Sequence, residues 1–399
     1  MSGTYDVVII GGGMSGMMAA ITLADTGRKV AVISRGNPLC CLSTGCIDLL
    51  AAGDDPLAGI GSLPENHPYN LVGETAVERS LEMFRDVMAR EGGVYVGDAH
   101  INRRIVTPLG RQKITCLVPA SMACADFHPD EYIHLISFSK MKDFYPNYIT
   151  SNYSNAGCSI FDAGVSTTAG IAACFENEKF RGRFISWLRG LDIPEGKIAL
   201  PAVLGMNFAV DVCAEISGEL GRDVFEIPTL PPSMPGMRLF GGLKNALLKR
   251  GVNLYWGKEV YSVEKSADLI EAVTLAGAGR ATRVQGNAFI LATGSFISGG
   301  LYAAMETAGE TVFDLPVYLP GRRDIWFDDD FFAPGHAIEK SGICVDRSFR
   351  PVDSQIGNLF VCGSILAFSE VMKYRCGHGM AIATGVAAAN ACGDWYREI

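Results

Sequence analysis

Two short apolar runs open the chain, Val7–Ile10 and the stretch ending at Ile33, and they flank a small-residue segment of helical character. Residues 5–35 therefore read as a strand, a glycine turn, a helix and a second strand over Lys29–Ile33. Residues 7–24 are apolar enough to suggest a membrane span. Gly11, Gly12, Gly13 and Gly16 interrupt them, which fits a buried strand plus helix instead. Further on, the spacing of Leu81, Phe84, Val87 and Met88 predicts an amphipathic helix over 74–92, stopped by Gly92 and Gly93.

The rhythm then changes. Strands are predicted at Ile133–Phe138 and Ile198–Leu204, with a helix near Arg183–Leu191. Tyr145–Gly170 reads as a long loop rich in Asn, Ser, Thr and Gly. Ile227–Met237 carries four prolines and reads as a stiff irregular segment. Beyond it come a helix over Arg238–Arg250 closed by Gly251, strands at Val252–Trp256, Glu259–Glu264 and Ala288–Ala292, a strand unit at Leu359–Ser364, and a helix from about Gly379 through Ala391. The class expected is α/β. A doubly wound Rossmann-like domain, formed by residues 1–100 and 238–399, is interrupted by an inserted α/β domain, 101–237, bearing a substrate or partner surface.

The turn carries the first chemistry. Gly11-Gly12-Gly13-Met14-Ser15-Gly16 fits G-x-G-x-x-G directly after a strand. Gly11 allows the tight turn, Gly13 lets a pyrophosphate approach, and Gly16 lets the helix pack on the strand. Backbone N–H groups at Met14 and Ser15 begin the helix, whose dipole attracts phosphate. The second strand should end in an acid for the ribose hydroxyls, but Ser34 and Arg35 stand there. Ser34 can take over a ribose hydrogen bond. Arg35 can also accommodate a 2′-phosphate, which leaves an NADP enzyme as an alternative.

Composition narrows the class. The 399 residues are 48% hydrophobic and 19% charged, as in a well-buried globular protein. A net charge of −9 without a basic cluster argues against a nucleic-acid surface. The start carries Asp6 and no basic n-region, so no signal peptide is read and a cytoplasmic protein is expected. Among 12 cysteines, Cys40, Cys41 and Cys46 lie close together in no metal-binding spacing, so no metal site is expected.

Three separated segments, GGGMSG at 11–16, NAFILATGSF at 287–296 and NLFVCGS…GHGMAIATG at 358–385, together resemble the FAD-binding fold of the glutathione-reductase and fumarate-reductase type. The resemblance implies that Gly11, Gly13 and Gly16 face the pyrophosphate, with Thr293 and Gly294 near the same end. It puts Gly363 and Ser364 by the ribityl chain, and Gly379 and Met380 under the flavin. The loop Ser43-Thr44-Gly45 and Val260 join the cofactor-binding positions. The usual Gly-Asp is Gly363-Ser364 here, so a second acid is replaced by serine.

The segments LSTGCIDLL, RIVTPLGR, PTLPPSMPGMRL, ATGSFISGGL, DDFFAP and IGNLFVCGS further resemble the B-subunit family of the anaerobic glycerol-3-phosphate dehydrogenases. That resemblance implies a separate catalytic (A) chain, an iron–sulfur (C) chain docking to the membrane, oxidation of glycerol 3-phosphate to dihydroxyacetone phosphate, and electrons passed toward menaquinone. It implies flavin, with FAD favoured by the glycine turn and FMN the alternative. The catalytic candidates are His378 as base, Arg375 as anion holder, and Arg238. A stand-alone NAD(P)-dependent oxidoreductase and a non-catalytic assembly or electron-relay subunit remain the rival readings.

Overall fold

The computed structural model describes residues 4–125, 130–207, 209–276 and 281–398. The chain divides into two units, one of Met1–Leu39, Asp48–Val87 and Leu243–Ile399, the other of Cys40–Ile47 and Met88–Gly242.

The first unit is built on a seven-stranded sheet. Its parallel part runs Asn253–Trp256, Val30–Ser34, Tyr5–Ile10, Thr282–Leu291 and Leu359–Val361. Register is set by pairs such as Val7 with Val30 and with Ala288, and Trp256 with Ser34. Val7, Val8 and Ile9 are wholly buried, which explains an unbroken apolar run in place of alternation. The strand Thr282–Leu291 starts well before the expected Ala288. Its first half pairs antiparallel with Leu269–Leu275, which pairs in turn with Val260–Ser266. The Leu269 strand is missing from the sequence reading, because polar Glu271 and Thr274 break up its apolar residues.

Helix Met14–Asp25 packs along the C-terminal helix Gly377–Glu398. Small residues permit the approach: a β-carbon on Gly385 would lie 2.4 Å from the Ser15 carbonyl oxygen. The C-terminal helix extends beyond its expected ends on both sides.

The second unit carries a four-stranded parallel sheet in the order Val224–Ile227, Lys197–Pro201, Ile133–Phe138, Ala156–Phe161. Numbered by chain position this is 2-1-3-4 read from the opposite edge, a doubly wound arrangement. Phe138, Phe161, Phe175 and Phe184 form its aromatic centre, with Phe161 and Phe184 edge-to-face at 5.1 Å. The expected loop at 145–170 instead holds helix Pro146–Asn152, the edge strand Ala156–Phe161 and the start of helix Thr168–Phe175. Gly157 and Ser159 give that strand the composition of a loop. As an edge strand it needs little apolar surface on its open side. The helix expected from Arg238 starts at Met234. Ser233 Oγ accepts the Gly236 N–H at 3.2 Å, and Pro235 sits in the first turn, where its missing N–H costs nothing.

No helix among the described residues is long and apolar enough to cross a membrane.

Candidate cofactor site

Parallel pairing brings the carboxyl ends of five strands, at Ile10, Ser34, Trp256, Leu291 and Val361, to one edge of the first unit's sheet. Ligands of open α/β sheets bind outside such an edge. Gly11 has φ +124°, and a β-carbon there would stand 2.0 Å from the Ala292 carbonyl oxygen. One on Gly16 would stand 1.9 Å from the Gly11 oxygen. The turn is thus folded onto the Ala292–Gly294 segment and onto its own helix. Gly13 differs: it precedes helix Met14–Asp25, and an added β-carbon meets nothing within 4 Å. Its side of the turn is open. N–H groups of the helix's first turn, at Met14, Ser15 and Gly16, have no intrahelical acceptor and carry the positive end of the dipole.

The other two motif segments meet this turn. A β-carbon on Gly294 would lie 2.3 Å from Ser298 Oγ and 3.3 Å from Ser364 Oγ. One on Gly363 would lie 2.3 Å from Ser15 Oγ. The Gly363 N–H donates to Thr384 Oγ1 at 3.0 Å, and Thr384 donates to the Met380 carbonyl at 2.7 Å. Thr293 Oγ1 is buried without a hydrogen-bond partner among the described residues.

Ser34 is buried and donates its hydroxyl to the Gly36 carbonyl at 2.8 Å, leaving oxygen lone pairs to accept. Arg35 reaches across to the Ser298 carbonyl at 3.5 Å and pairs with Glu259 at 3.5 Å. That carboxylate would repel a 2′-phosphate, which counts against the NADP alternative. Past Trp256 the chain crosses the end of the Ser34 strand, where the Lys258 N–H donates to the Ser34 carbonyl at 3.0 Å. Val260 opens the next strand.

At the start of the C-terminal helix, Gly379 donates its N–H to the Asp48 carbonyl at 3.0 Å and packs on Tyr69. Met380 is wholly buried. His378 is partly exposed in the first turn, and Arg375 is exposed. Phe368, Glu370 and Arg375 have φ of 62°, 34° and 48°. Three non-glycine left-handed residues in so short a segment store backbone strain of the kind found at functional sites. His67, which no sequence motif marks, is fully buried beside this segment. Its Nδ1 accepts the Tyr69 N–H at 3.2 Å, and burial pushes its pKa down to about 4.

Four expected site residues fall in the second unit. Ser43 Oγ donates to the Cys40 carbonyl at 2.8 Å and accepts the Gly45 N–H at 3.1 Å. Cys46 donates its N–H to Thr44 Oγ1 at 3.4 Å, and Tyr95 donates to the Gly45 carbonyl at 2.7 Å. Arg238 holds buried Glu226 through Nη1 at 2.7 Å and Nη2 at 3.1 Å, and directs Nε and Nη2 at the Gly205 carbonyl. Ser121 and the Leu204 N–H complete the Glu226 shell. This geometry gives Arg238 a structural task, tying the proline-rich segment to the sheet. Nearby, a thiol–thiol hydrogen bond between Cys40 and Cys41 raises the pKa of Cys40 and lowers that of Cys41. Among the described residues, no group of three or more His, Cys, Asp or Glu is placed to hold a metal ion.

The open flank of Gly13, the first-turn N–H groups of the helix and the Thr293 hydroxyl fit the pyrophosphate end of an FAD. Residues 6–123 and 179–380 match the FAD binding domain family. The chain is 29% identical to the probable B subunit of the anaerobic glycerol-3-phosphate dehydrogenase of Halobacterium salinarum, over 98% of this chain and 99% of that protein. It is 28% identical to the corresponding B subunit of Yersinia enterocolitica, over 96% and 97%. A solved 3-ketosteroid delta1-dehydrogenase from Sterolibacterium denitrificans covers 98% of this chain and 100% of its own, at 13% identity and a TM-score of 0.46. With more than half of its length matched, the chain belongs to the FAD binding domain family.

Proposed function

We propose that this chain is the flavoprotein (B) subunit of an anaerobic glycerol-3-phosphate dehydrogenase. The observation that carries the reading is similarity along nearly the whole chain to relatives bearing that name. Its partners are a catalytic (A) chain and an iron–sulfur (C) chain, through which electrons pass toward menaquinone at the inner face of the membrane. The second unit offers the substrate or partner surface.

When bound, FAD supplies the acceptor for the hydride equivalent leaving C2 of glycerol 3-phosphate as the alcohol becomes a ketone. The chain's own residues hold and orient. Gly11, Gly13 and Gly16 with the first-turn N–H groups hold the pyrophosphate, Thr293 offers a hydroxyl at the same end, and Ser34 accepts from a ribose hydroxyl. Gly363 and Ser364 border the ribityl chain. An imidazole nitrogen of His378 takes the substrate hydroxyl proton, and Arg375 holds the substrate phosphate. The left-handed strain around Phe368, Glu370 and Arg375 supports a functional role for this segment.

A second reading, an electron-relay or assembly subunit without its own substrate site, is favoured by the structural engagement of Arg238 with Glu226. Dye reduction by the assembled complex separates the two. His378→Gln lowers kcat by about 10²–10⁴-fold if the base is here, and Arg375→Ala raises KM for glycerol 3-phosphate. Unchanged kinetics in both variants would move the substrate site to another chain of the complex and leave the relay reading.

A further inference from the structure

The adenosine end of the site lacks the acid that usually holds the ribose, and Trp256 stands beside the gap. It pairs with Ser34 in parallel register at the ends of their strands. A β-carbon on Gly12 would lie 2.6 Å from Trp256 Cη2 and 2.7 Å from Ser34 Oγ. The indole edge therefore rests against the glycine turn itself, and only a glycine at position 12 leaves room for it. Lys244 Nζ lies 5.7 Å from the ring centroid, a cation over the indole. Trp256 as a residue is half-buried, with its indole Nε1 enclosed. The Lys258 N–H bond to Ser34 holds the chain that follows Trp256 against the same strand end.

We propose that Trp256 is the adenosine platform of this site, with its indole stacking on the adenine and replacing the affinity that a carboxylate on the ribose would give. The inference rests on the FAD reading of the glycine turn and deepens it. Ser34 accepts one ribose hydroxyl with its lone pairs, where an acid would accept two. Base–aromatic stacking tolerates this looser ribose grip, because it needs only a flat ring held in place. Nothing in the sequence pattern marks Trp256, since its position depends on which strands become neighbours.

The test uses the full chain stripped of flavin and titrated calorimetrically with ADP and, separately, with inorganic pyrophosphate. Trp256→Ala weakens ADP binding by about tenfold to a hundredfold, the worth of one stacked base, and leaves pyrophosphate binding unchanged. Trp256→Phe keeps a ring and stays within about threefold of the parent, a few tenths of a stacking contribution. It also loses the quenching of tryptophan fluorescence that ADP produces in the parent. ADP affinity unchanged in Trp256→Ala would overturn the platform while leaving the FAD reading intact. Affinity increased in Trp256→Ala would do the same and identify the indole as a plug. A parent chain that binds neither ADP nor FAD would overturn both.

Discussion

The Ala292 carbonyl oxygen occupies the space a side chain on Gly11 would need, 2.0 Å from its β-carbon position. The glycine turn and the Ala292–Gly294 segment are thus one packed object, and Gly13 is the glycine of the three whose side position is open. Substitutions at these glycines have opposite consequences. Gly13→Val keeps the fold, because nothing lies within 4 Å of the new β-carbon, but it fills the side a pyrophosphate approaches. Its melting temperature stays near that of the parent while its flavin content falls to a trace. Gly11→Val loses stability in the flavin-free protein. The left-handed φ alone costs about 1–3 kcal/mol, and the contact with Ala292 adds to it. Full flavin content in folded Gly13→Val would remove the pyrophosphate from this turn.

Arg238 and Glu226 give a prediction about stability. Glu226 is fully buried, and Arg238 is only 14% exposed. Arg238→Ala leaves a buried carboxylate without its cation, a loss of about 3–5 kcal/mol. Urea denaturation checks it. A midpoint close to the parent's would show that the pair is not holding the proline-rich segment.

His67 makes stability pH-dependent. Burial lowers its pKa from 6.5 to about 4. The unfolded chain therefore binds a proton more readily than the native one, and stability rises with pH across this window. The contribution is complete above about pH 6.5, is lost as pH falls toward 4, and amounts to about 3 kcal/mol. His67→Gln flattens that part of the profile in denaturation measured from pH 4 to 7. A profile identical to the parent's would place the titrating group elsewhere.

Cys41 is the most reactive thiol expected. It is partly exposed, and the hydrogen bond from Cys40 lowers its pKa, while burial raises those of Cys362, Cys376 and Cys392 to about 12. Brief treatment with iodoacetamide near neutral pH, followed by peptide mass mapping, modifies Cys41 first. Preferential labelling of the Cys362 peptide would contradict this.

Much of the first unit is legible in the sequence because its signals are local. Val7–Ile10 is buried on both faces, so it is apolar throughout, and the glycine turn follows it within a few residues. Ile133–Phe138 is read to the residue for the same reason. The edge strand Ala156–Phe161 escapes because one side is open and Gly157 and Ser159 interrupt its apolar residues. The Leu269–Leu275 strand escapes because its core residues are interleaved with exposed ones. At the site, the glycines announce themselves by spacing. The partners of Arg238 and the neighbours of Trp256 come from distant segments, and only the strand register brings them together. His67 carries no signal, since its low pKa comes from burial beside Tyr69 and Tyr374.

On the reading proposed above, the turn Gly11–Gly16 holds the pyrophosphate of an FAD. An absorption spectrum of the purified chain, with the released cofactor identified by mass, tests it most directly. A flavin spectrum and the mass of FAD are expected. Release of FMN, or a colourless chain that neither flavin reconstitutes, would contradict it.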